Sequence, residues 1–544
     1  MSKNVKIVLL EIRKSITIYK FTLGLDYLTS VLREAGYQVW NYIFEEDNTD
    51  TILDKIVSVQ PDLVGISFYR ENEDSIFELT RKLKIVNKQI KIFLGGHTAT
   101  LHTGALLKRE KSIDIVINGE GEETLLELCD LIENDEGLEN CEGISYRVND
   151  KIIRNSNRKL IKDLDQLPFP ALDGIFEKSQ KSNYVFPGIS TSRGCMGSCA
   201  FCVANRYYKG KKVEGWRGRS PQNIVDEIKH LIRSFSDKRI FYMIVDSSIE
   251  DPDPEEKLRL KELVRLLKAE NIKIPFTCFT RAESWSEKDW ELILDLKSVG
   301  LYEVSIGYES SKTETLELFN KRATSKDNYM AYNLFKRSDI NVFGFLIMFH
   351  PYTTLDELKQ NASMLLEVGM AYHPQSWWQT LDLWPDTRLF TDVVRDGLLI
   401  GPEEKGYLYE YAYANGNIER INHILRKIGT STSSMSYANT NEKIKLEILL
   451  YDVWKDEDKM LQLIDDSMNR YKELYEQVKS ELGKKQYDLF IKLIESVETN
   501  KSDQSITELG DRWEELLDSG FMQLEKIWMK FYMEFRRKKV QILS

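Results

Sequence analysis

The feature that most constrains the fold of this chain is a repeated alternation of short β-branched runs with amphipathic helical stretches. Strands that alternate with helices form parallel sheets with right-handed crossovers, and helices cover both faces of such sheets. In these folds, ligands bind beyond the carboxyl ends of the strands. Residues 1–142 are therefore predicted to form an α/β, Rossmann-like domain. Its predicted strands lie at residues 6–10, 39–40, 63–68, 90–94 and 113–117.

A second alternation begins after a short hairpin pattern and a proline-stiffened segment, which we treat as a hairpin and linker over residues 143–182. Six predicted βα units are fewer than the eight of a closed TIM barrel. Residues 183–400 are therefore predicted to form a partial (βα)6 barrel. Residues 401–544 are predicted to form a helical C-terminal region. The six predicted barrel strands lie at residues 189–192, 239–246, 275–280, 303–308, 341–349 and 376–383.

Half of the six cysteines of the chain lie within eight positions, at Cys195, Cys199 and Cys202. They follow the first predicted barrel strand, at the carboxyl mouth of the barrel. Thiolate is a soft ligand that suits iron–sulfur clusters. Three ligands leave one iron of a cubane cluster open to chelate a substrate, which is a catalytic arrangement.

A zinc site and three unrelated core cysteines are the alternative interpretations of this spacing. A structural zinc site pairs two short Cys or His hooks, and the nearest further His or Cys is His230. Chance is a poor explanation for so dense a group of cysteines. The scattered Cys129, Cys141 and Cys278 are interpreted as small buried hydrophobic residues.

Charge and hydropathy narrow the possible partners and compartment. A net charge of −11 argues against a nucleic-acid partner, because phosphate binding requires a basic footprint. Glu11 and Arg13 interrupt an N-terminal apolar run that is too short for a signal peptide. No apolar stretch approaches the roughly 18 residues of a membrane span. We therefore expect a cytoplasmic protein that acts neither on nucleic acid nor in a membrane.

The cysteine spacing, with an aromatic residue, Phe201, directly before the last cysteine, resembles the motif of the radical S-adenosylmethionine (SAM) superfamily. The resemblance covers roughly residues 1–390. Together with the leading α/β domain and the Leu-Pro-Phe-Pro linker, it points to the subgroup with an N-terminal cobalamin-binding domain. It continues through Arg217-Gly218-Arg219-Ser220-Pro221, Arg281-Ala282-Glu283 and Ile306-Gly307-Tyr308-Glu309-Ser310.

The resemblance implies a [4Fe–4S] cluster on the three cysteines, with SAM beside it. It places Phe201 against the adenine, and assigns Arg281 and Glu309 to the cofactor site, Glu309 through the ribose hydroxyls. The family often carries Gly-Gly-Glu after the second barrel strand, where this chain has Asp246, a residue that we expect to hold the SAM ammonium. A strand-end aspartate is nearly as often a simple helix cap. A further departure is Tyr352, in place of the second glycine of Gly-x-Pro-Gly-Glu-Thr.

For cobalamin, the resemblance implies binding on the loops after the strands of the N-terminal sheet. Glycine in these loops lets the backbone approach a flat ligand. The Asp-x-His-x-x-Gly motif that ligates cobalt in other cobalamin proteins is absent, so His97 is interpreted as a turn residue that contacts ligand or backbone. The predicted loops are residues 12–19, 68–70, 95–98 and 119–122, with Gly95, Gly96, His97, Gly119 and Glu120 as candidate contacts.

In the chemistry implied by this family, the reduced cluster splits SAM into methionine and a radical that takes hydrogen from an unactivated carbon. In the commonest version, that carbon then collects a methyl group carried by cobalamin. We therefore expect a C-methyltransferase for a natural-product or peptide intermediate, reduced by a flavodoxin- or ferredoxin-type donor. One alternative is cyclisation, rearrangement or epimerisation without methyl transfer. Another is a cluster-bearing binding protein without catalysis. No catalytic side chain is assigned.

Overall fold

The computed structural model describes residues 3–13, 22–45, 48–149, 151–180, 182–204, 215–251, 253, 256–403, 405–454, 462 and 464–543. The chain divides into two compact units, and both are discontinuous in sequence. Unit 1 contains Met1–Ser198, Cys202–Thr280 and Trp290–Val304. Unit 2 contains Cys199–Phe201, Arg281–Asp289 and Ser305–Ser544.

A seven-stranded sheet forms the N-terminal part of unit 1, in the order β2-β1-β3-β4-β5-β6-β7. The first five strands pair in parallel, which confirms the predicted parallel sheet. The predicted hairpin forms and adds two antiparallel strands to the edge of this sheet. The strands are β1 (Lys6–Ile12), β2 (Gln38–Phe44), β3 (Leu63–Ser67), β4 (Lys91–Gly95), β5 (Ile115–Ile117), β6 (Ile144–Val148) and β7 (Lys151–Arg154).

In the described part of this domain, six helices lie between the strands of the sheet. The side chain of Asn48 accepts hydrogen bonds from the backbone of Asp50 and Thr51, which caps the second helix. A Cβ atom at Gly65 would lie 2.1 Å from the Phe93 ring, so only glycine fits at that point of the sheet. The helices are α1 (Leu23–Glu34), α2 (Thr49–Val57), α3 (Glu73–Val86), α4 (His97–Leu101), α5 (Thr103–Arg109) and α6 (Glu122–Glu133).

The second alternation builds a five-stranded sheet in the order β16-β15-β14-β13-β9. Strand β13, next to the edge strand β9, pairs in parallel with both β9 and β14. The short strands β10 and β11 form a separate antiparallel ribbon. The strands are β8 (Tyr184–Val185), β9 (Gly188–Ile189), β10 (Ser192–Arg193), β11 (Arg217–Gly218), β12 (Arg239–Ile240), β13 (Tyr242–Ile244), β14 (Phe276–Arg281), β15 (Leu301–Glu309) and β16 (Asn341–Leu346).

The helices of this region alternate with its strands, as the pattern predicted. Ser220 caps the helix that follows β11, and Pro221 occupies its first turn, where a missing N–H has no cost. The Ser-Pro end of the Arg-Gly-Arg-Ser-Pro segment is therefore a helix start. The helices are α7 (Asp173–Ser179), α8 (Pro221–Ser234), α9 (Leu258–Ala269), α10 (Trp290–Ser298), α11 (Thr313–Leu318), α12 (Ser325–Arg337) and α13 (Leu355–Glu367).

Among the described residues, the sixth predicted barrel strand, residues 376–383, is reduced to two isolated bridges: a parallel one between Phe349 and Thr380, and an antiparallel one between Leu383 and Tyr409. A 3-10 turn, Pro374–Trp377, replaces its start. Pro374 has no N–H to donate to a strand ladder. The indole N–H of the fully buried Trp377 donates to the carbonyl of Ala371 at 2.8 Å, which stabilises the turn.

The C-terminal part of unit 2 is mainly helical, as predicted. A cluster of buried residues that includes Tyr437, Tyr475 and Phe531 packs its long helices together. Gln486 donates hydrogen bonds to the carbonyls of Ala371 and Tyr372, which joins these helices to the end of the barrel region. None of the described helices is long and apolar enough to span a membrane. The elements are α14 (Arg388–Arg395), β17 (Leu399–Pro402), β18 (Tyr409–Tyr411), α15 (Gly416–Gly429), α16 (Thr432–Trp454), α17 (Asp465–Glu498) and α18 (Asp503–Leu543).

Candidate functional site

The cysteine loop begins directly after β10. Gly194, at its start, has a φ of +90°, and a Cβ atom there would lie 2.1 Å from the carbonyl oxygen of Gly215. This close approach requires glycine and fixes the entry into the loop. In unit 1, the Cys195 sulfur accepts the N–H of Gly197 at 3.3 Å, and the Cys202 sulfur accepts the N–H of Ala204 at 3.5 Å. Such donors stabilise thiolate.

All six cysteines are free thiols, but they fall into two environments. The three cysteines of the loop are partly exposed, whereas the other three are buried. Burial raises the pKa of Cys129 and of Cys278 well above the ordinary thiol value, so these sulfurs stay protonated. Burial also raises the pKa of Cys141 to about 11. Only the loop therefore offers thiols that are accessible to a metal cluster.

In unit 2, Arg281 at the end of β14 lies beside Cys199, the middle cysteine of the loop. Its Nη1 atom is 3.9 Å from the Cys199 sulfur, and its Nη2 atom donates to the carbonyl of Lys321 at 2.8 Å. Its Nε atom donates to Glu283 at 2.7 Å. A guanidinium in this place stabilises negative charge on the sulfur. The structure thus brings together Arg281 and Cys199, two of the residues predicted from sequence.

Glu309 joins the same group through Lys321, a residue that the sequence analysis missed. Lys321 is 3% exposed, and its Nζ atom donates to Glu309 Oε1 at 3.0 Å. Burial lowers the pKa of Lys321, but the Glu309 charge outweighs it and the pKa lies above its usual value. Glu309 has a φ of +62°, a left-handed conformation that is uncommon outside glycine and concentrates at functional sites. A Cβ atom at Gly307 would lie 2.6 Å from Glu309 Oε1, so that glycine leaves room for the pair.

Phe201 is held by unit 2. Its ring packs edge-to-face on Phe319, with centroids 5.0 Å apart. The N–H of Ala200 donates to the Phe319 carbonyl at 2.7 Å, and the Ala200 carbonyl accepts from Leu389 at 2.9 Å. The backbone before the last cysteine is therefore anchored. The adenine contact of Phe201 stays a prediction.

Asp246, just after β13, is 4% exposed, and protein donors surround its carboxylate. It accepts the backbone N–H of Thr191 at 2.9 Å, the Thr191 hydroxyl, and the Ser192 hydroxyl at 2.9 Å. Burial raises the pKa of Asp246 above its usual value, against the opposing effect of these hydrogen bonds. Asp246 therefore ties the end of β9 to β13, and its contact with the SAM ammonium stays a prediction.

The carboxyl edge of the N-terminal sheet presents open backbone at two of the predicted loops. A Cβ atom at Gly95 or at Gly119 would meet nothing within 4 Å. Gly96 and Gly119 have φ values of +98° and +83°, which favour glycine. The exposed His97 begins α4, and partial desolvation lowers its pKa below the usual value. Of the predicted loop at residues 12–19, positions 14–19 lie outside the described residues.

Glu120 lies next to this open backbone, but protein donors engage its carboxylate. Oε1 pairs with Arg193 at 3.1 Å and with Arg217 at 2.9 Å, and Oε2 accepts the N–H of Ile161 at 2.9 Å. Burial raises the pKa of Glu120, but Arg217 and Arg193 outweigh it, so the pKa lies below its usual value. A direct cofactor contact by Glu120 stays a prediction.

The thiols and the open backbone described above fit the cluster and the cobalamin that the family resemblance implies. Three partly exposed thiols suit an iron–sulfur cluster, since Cys195 and Cys202 accept backbone N–H groups and Cys199 lies beside a guanidinium. The open backbone at Gly95 and Gly119 suits a flat ligand. No three His, Cys, Asp or Glu side chains among the described residues already form a metal-binding group. The assignment of the cluster to the three cysteines therefore depends on their spacing and chemistry.

Two family models match the chain, in separate regions. The B12 binding domain matches residues 14–129, and the radical SAM superfamily matches residues 189–365. The first match covers most of the N-terminal sheet, and the second covers the cysteine loop and the five-stranded sheet. Cobalamin, SAM and a [4Fe–4S] cluster are the cofactors of these two domain families.

Curated relatives share about a quarter of their residues with this chain. "Uncharacterized methyltransferase PH0819" of Pyrococcus horikoshii is 26% identical over 380 residues, 70% of this chain and 79% of that protein. "Anaerobic magnesium-protoporphyrin IX monomethyl ester cyclase" of Cereibacter sphaeroides is 25% identical over 387 residues, 68% of this chain and 59% of that protein. The chain therefore spans less than two thirds of the cyclase.

Solved structures share the fold. OxsB, a cobalamin-dependent SAM radical enzyme solved with aqua-cobalamin and SAM bound, superposes with a TM-score of 0.67 and 19% identity, over 99% of this chain and 81% of that chain. TsrM, a radical SAM methyltransferase from Kitasatospora setae solved with cobalamin and a [4Fe–4S] cluster, gives a TM-score of 0.61 and 16% identity, over 76% and 89%.

Proposed function

Since this chain belongs to the radical SAM superfamily, in the subgroup with an N-terminal B12-binding domain, we propose that it is a cobalamin-dependent radical SAM C-methyltransferase. Its substrate would be an unactivated carbon of a natural-product or peptide intermediate. The observation that carries the proposal is the presence, in one chain, of the three-thiol loop and of an N-terminal sheet with open backbone at Gly95 and Gly119. The methyltransferase name of the Pyrococcus relative, 79% of which is covered, supports methyl transfer as the outcome.

The side chains have distinct roles in this proposal. When bound, the cluster and SAM supply a carbon-centred radical, and cobalamin supplies the methyl group. Cys195, Cys199 and Cys202 would hold the cluster as thiolates. Arg281, 3.9 Å from the Cys199 sulfur, would stabilise the negative charge of its thiolate. The Lys321 ammonium fixes Glu309 at the end of β15, where we place the SAM ribose.

The loops of the N-terminal sheet would hold the corrin by shape. Gly95 and Gly119 leave space in which backbone can contact a flat ring. No imidazole is assigned to cobalt. His97 would contact ligand or backbone, as a turn residue does. The backbone at Gly95 and Gly119, and not the His97 imidazole, would hold the cofactor.

The proposal also requires a small-molecule or peptide substrate and an external electron donor of the flavodoxin or ferredoxin type. Six free thiols suit a reducing compartment, so we place the protein in the cytoplasm. Radical chemistry requires that water be kept from the reacting centre.

A second candidate keeps the same cofactors and transfers no methyl group. The relative in Cereibacter sphaeroides, named a cyclase, favours it. Ring closure or rearrangement would leave the substrate without the added methyl mass. The mass of the product therefore separates the two candidates, once a substrate is known.

The first test measures cluster loading and SAM cleavage under anaerobic conditions. Reconstituted protein should bind about four irons and four sulfides per chain, as a [4Fe–4S] centre requires. It should form 5′-deoxyadenosine under reductant. Replacement of Cys195, Cys199 and Cys202 by Ala should abolish both, and the buried Cys278→Ala should serve as the matched control. Stoichiometric zinc without iron would contradict the proposal.

A further inference from the structure

An ionic group in unit 1 links the loop after β5 to the β10–β11 ribbon. Arg217 holds Glu120 by two parallel bonds, with its Nη1 atom 2.9 Å from Oε2 and its Nη2 atom 2.9 Å from Oε1. Arg193 bridges two carboxylates, at 3.1 Å from Glu120 and 2.6 Å from Glu122. We name these four residues the clasp. Two guanidinium groups face two carboxylates, so their charges balance.

The clasp is withdrawn from solvent. The Arg217 side chain is 9% exposed, and those of Glu120 and Glu122 are each 7% exposed. The Arg193 side chain is 15% exposed, and its guanidinium lies 5.1 Å from the centroid of the Tyr27 ring on α1. Bidentate arginine–carboxylate pairs have a fixed geometry, which a single surface ion pair lacks. The clasp therefore holds its two backbone segments in one register.

Both ends of the clasp lead directly to the proposed cofactor sites. On one side, Glu120 follows Gly119, whose backbone is open to a flat ligand. On the other side, Arg193 is two residues before Cys195. Gly194, between them, packs closely against the backbone of Gly215, so the position of Arg193 determines where Cys195 begins the loop. Arg217 lies opposite Arg193 in the antiparallel β10–β11 ribbon, so one pair of hydrogen-bonded strands carries both arginines.

We propose that the clasp of Glu120, Glu122, Arg193 and Arg217 positions the corrin-binding loop relative to β10, the strand that leads into Cys195. In this role Glu120 is a positioning residue and not a cofactor ligand. The inference rests on the proposed function, because it concerns the relation between the corrin site and the cluster site. It also gives a role to Arg217 of the Arg-Gly-Arg segment.

The contacts of Glu120 distinguish positioning from direct cofactor binding. Each carboxylate oxygen has at least one protein donor, and Oε2 also accepts the N–H of Ile161 in the segment after the hairpin. A ligand contact would have to displace buried charged partners, at a high electrostatic cost. Arg217 also donates to the Ile161 carbonyl, which closes the arrangement around Glu120.

The experiment compares Glu120→Gln with Glu136→Gln, which removes one carboxylate from an exposed position of the same domain. Hydrogen exchange is measured on the chain without cofactors. In Glu120→Gln, amides of residues 118–122 and of residues 190–195 should both exchange at least about tenfold faster, because a buried charge pair has lost its partner. Glu136→Gln should leave both segments unchanged. Arg217→Lys should act in the same direction, since lysine cannot form the bidentate pair.

The second readout is magnetic and uses protein loaded with cobalamin and cluster. Enhanced spin relaxation of Co(II) by the reduced cluster reports their separation and orientation. In Glu120→Gln, the cobalt and iron contents should stay at wild-type values. The relaxation enhancement should become weaker or take a distribution of values, because the separation and orientation of the two cofactors are no longer fixed. A merely structural residue would not change the relaxation effect at constant cofactor content.

Three results would overturn the inference. The first is faster exchange confined to residues 118–122, with an unchanged relaxation effect. The second is loss of cobalamin from Glu120→Gln without any change in exchange, which would make Glu120 a ligand. The third is a wild-type protein that retains no corrin, which would contradict the proposed function and with it the positioning role. In that case the exchange result would still decide whether the two segments are coupled.

Discussion

Replacement of Asp246 by Ala separates a structural role from a cofactor role at the end of β13. The side chain is 4% exposed, and its carboxylate accepts from Thr191 and Ser192, which are 0% and 3% exposed. The substitution therefore leaves three buried donors without their acceptor. One of them, the Thr191 N–H, belongs to the backbone and cannot rotate toward another partner.

The magnitude follows from these three donors. An orphaned buried donor costs about 1–3 kcal/mol. The two hydroxyls recover part of this cost by rotation, so the expected loss in the free energy of unfolding is about 2–5 kcal/mol. Asp246→Asn keeps an acceptor oxygen and the side-chain volume, and should lose roughly half as much. Thr191→Ala should cost less in an Asp246→Ala background than in wild type, because the two residues share their hydrogen bonds.

The assay is urea unfolding of the chain without cofactors, followed by fluorescence, together with SAM affinity of the reconstituted protein by calorimetry. Asp237→Ala is the matched control, because that carboxylate is 76% exposed. If Asp246 acts through the fold, stability should fall while the folded fraction binds SAM with near wild-type affinity. Unchanged stability combined with at least about tenfold weaker SAM binding would refute this reasoning, and would support the ammonium contact.

Three further predictions concern stability and cofactor access. Lys321→Met should lower the free energy of unfolding in urea by about 3–5 kcal/mol, because it leaves the Glu309 carboxylate unpaired. The double variant Lys321→Met with Glu309→Gln should recover part of this loss. Losses of the two single variants that simply add in the double variant would contradict the pairing. Burial raises the pKa of Asp26 to about 7, so its native form binds a proton more tightly than its unfolded form. Ionisation of Asp26 should therefore lower the free energy of unfolding by up to about 4 kcal/mol as the pH rises from about 4 to 7. The urea midpoints of unfolding at pH 5 and at pH 8 should differ less in Asp26→Asn than in wild type. Gly95→Leu should fold like wild type, because a Cβ atom there meets nothing within 4 Å, but should lose cobalamin in a desalting assay; Gly65→Ala, which collides with Phe93, should instead lose stability.

The parallel sheet was predictable because its buried strands are continuous apolar runs between helical patterns. Helices α4 and α5 were not predicted, because five and seven residues are too few to show an apolar period. The hairpin was found from its turn residues, but its pairing with β5 is a long-range choice that local sequence does not encode. Residues 376–383 have an apolar pattern typical of a strand, yet the buried Trp377 and the preceding proline make a 3-10 turn more favourable there.

In the candidate site too, features that depend on neighbouring residues were predictable from sequence, and contacts between residues distant in sequence were not. The spacing of the three cysteines is local, so it predicts the cluster loop from sequence alone. Lys321 was missed because a lysine between two helical segments is ordinarily solvated, and only the fold places it 3.0 Å from Glu309. Glu120 was selected for its place beside Gly119, but its two arginine partners lie 73 and 97 residues further along the chain.

The most direct test of the central claim is the fate of the methyl group of SAM on this chain. Purified protein is reconstituted with iron and sulfide, mixed with hydroxocobalamin and desalted. It is then reduced and given SAM with a radiolabelled methyl group. The account predicts that about one corrin per chain is retained and that label elutes with it. Retention of four irons without corrin, or of corrin without label, would contradict a cobalamin-dependent methyltransferase.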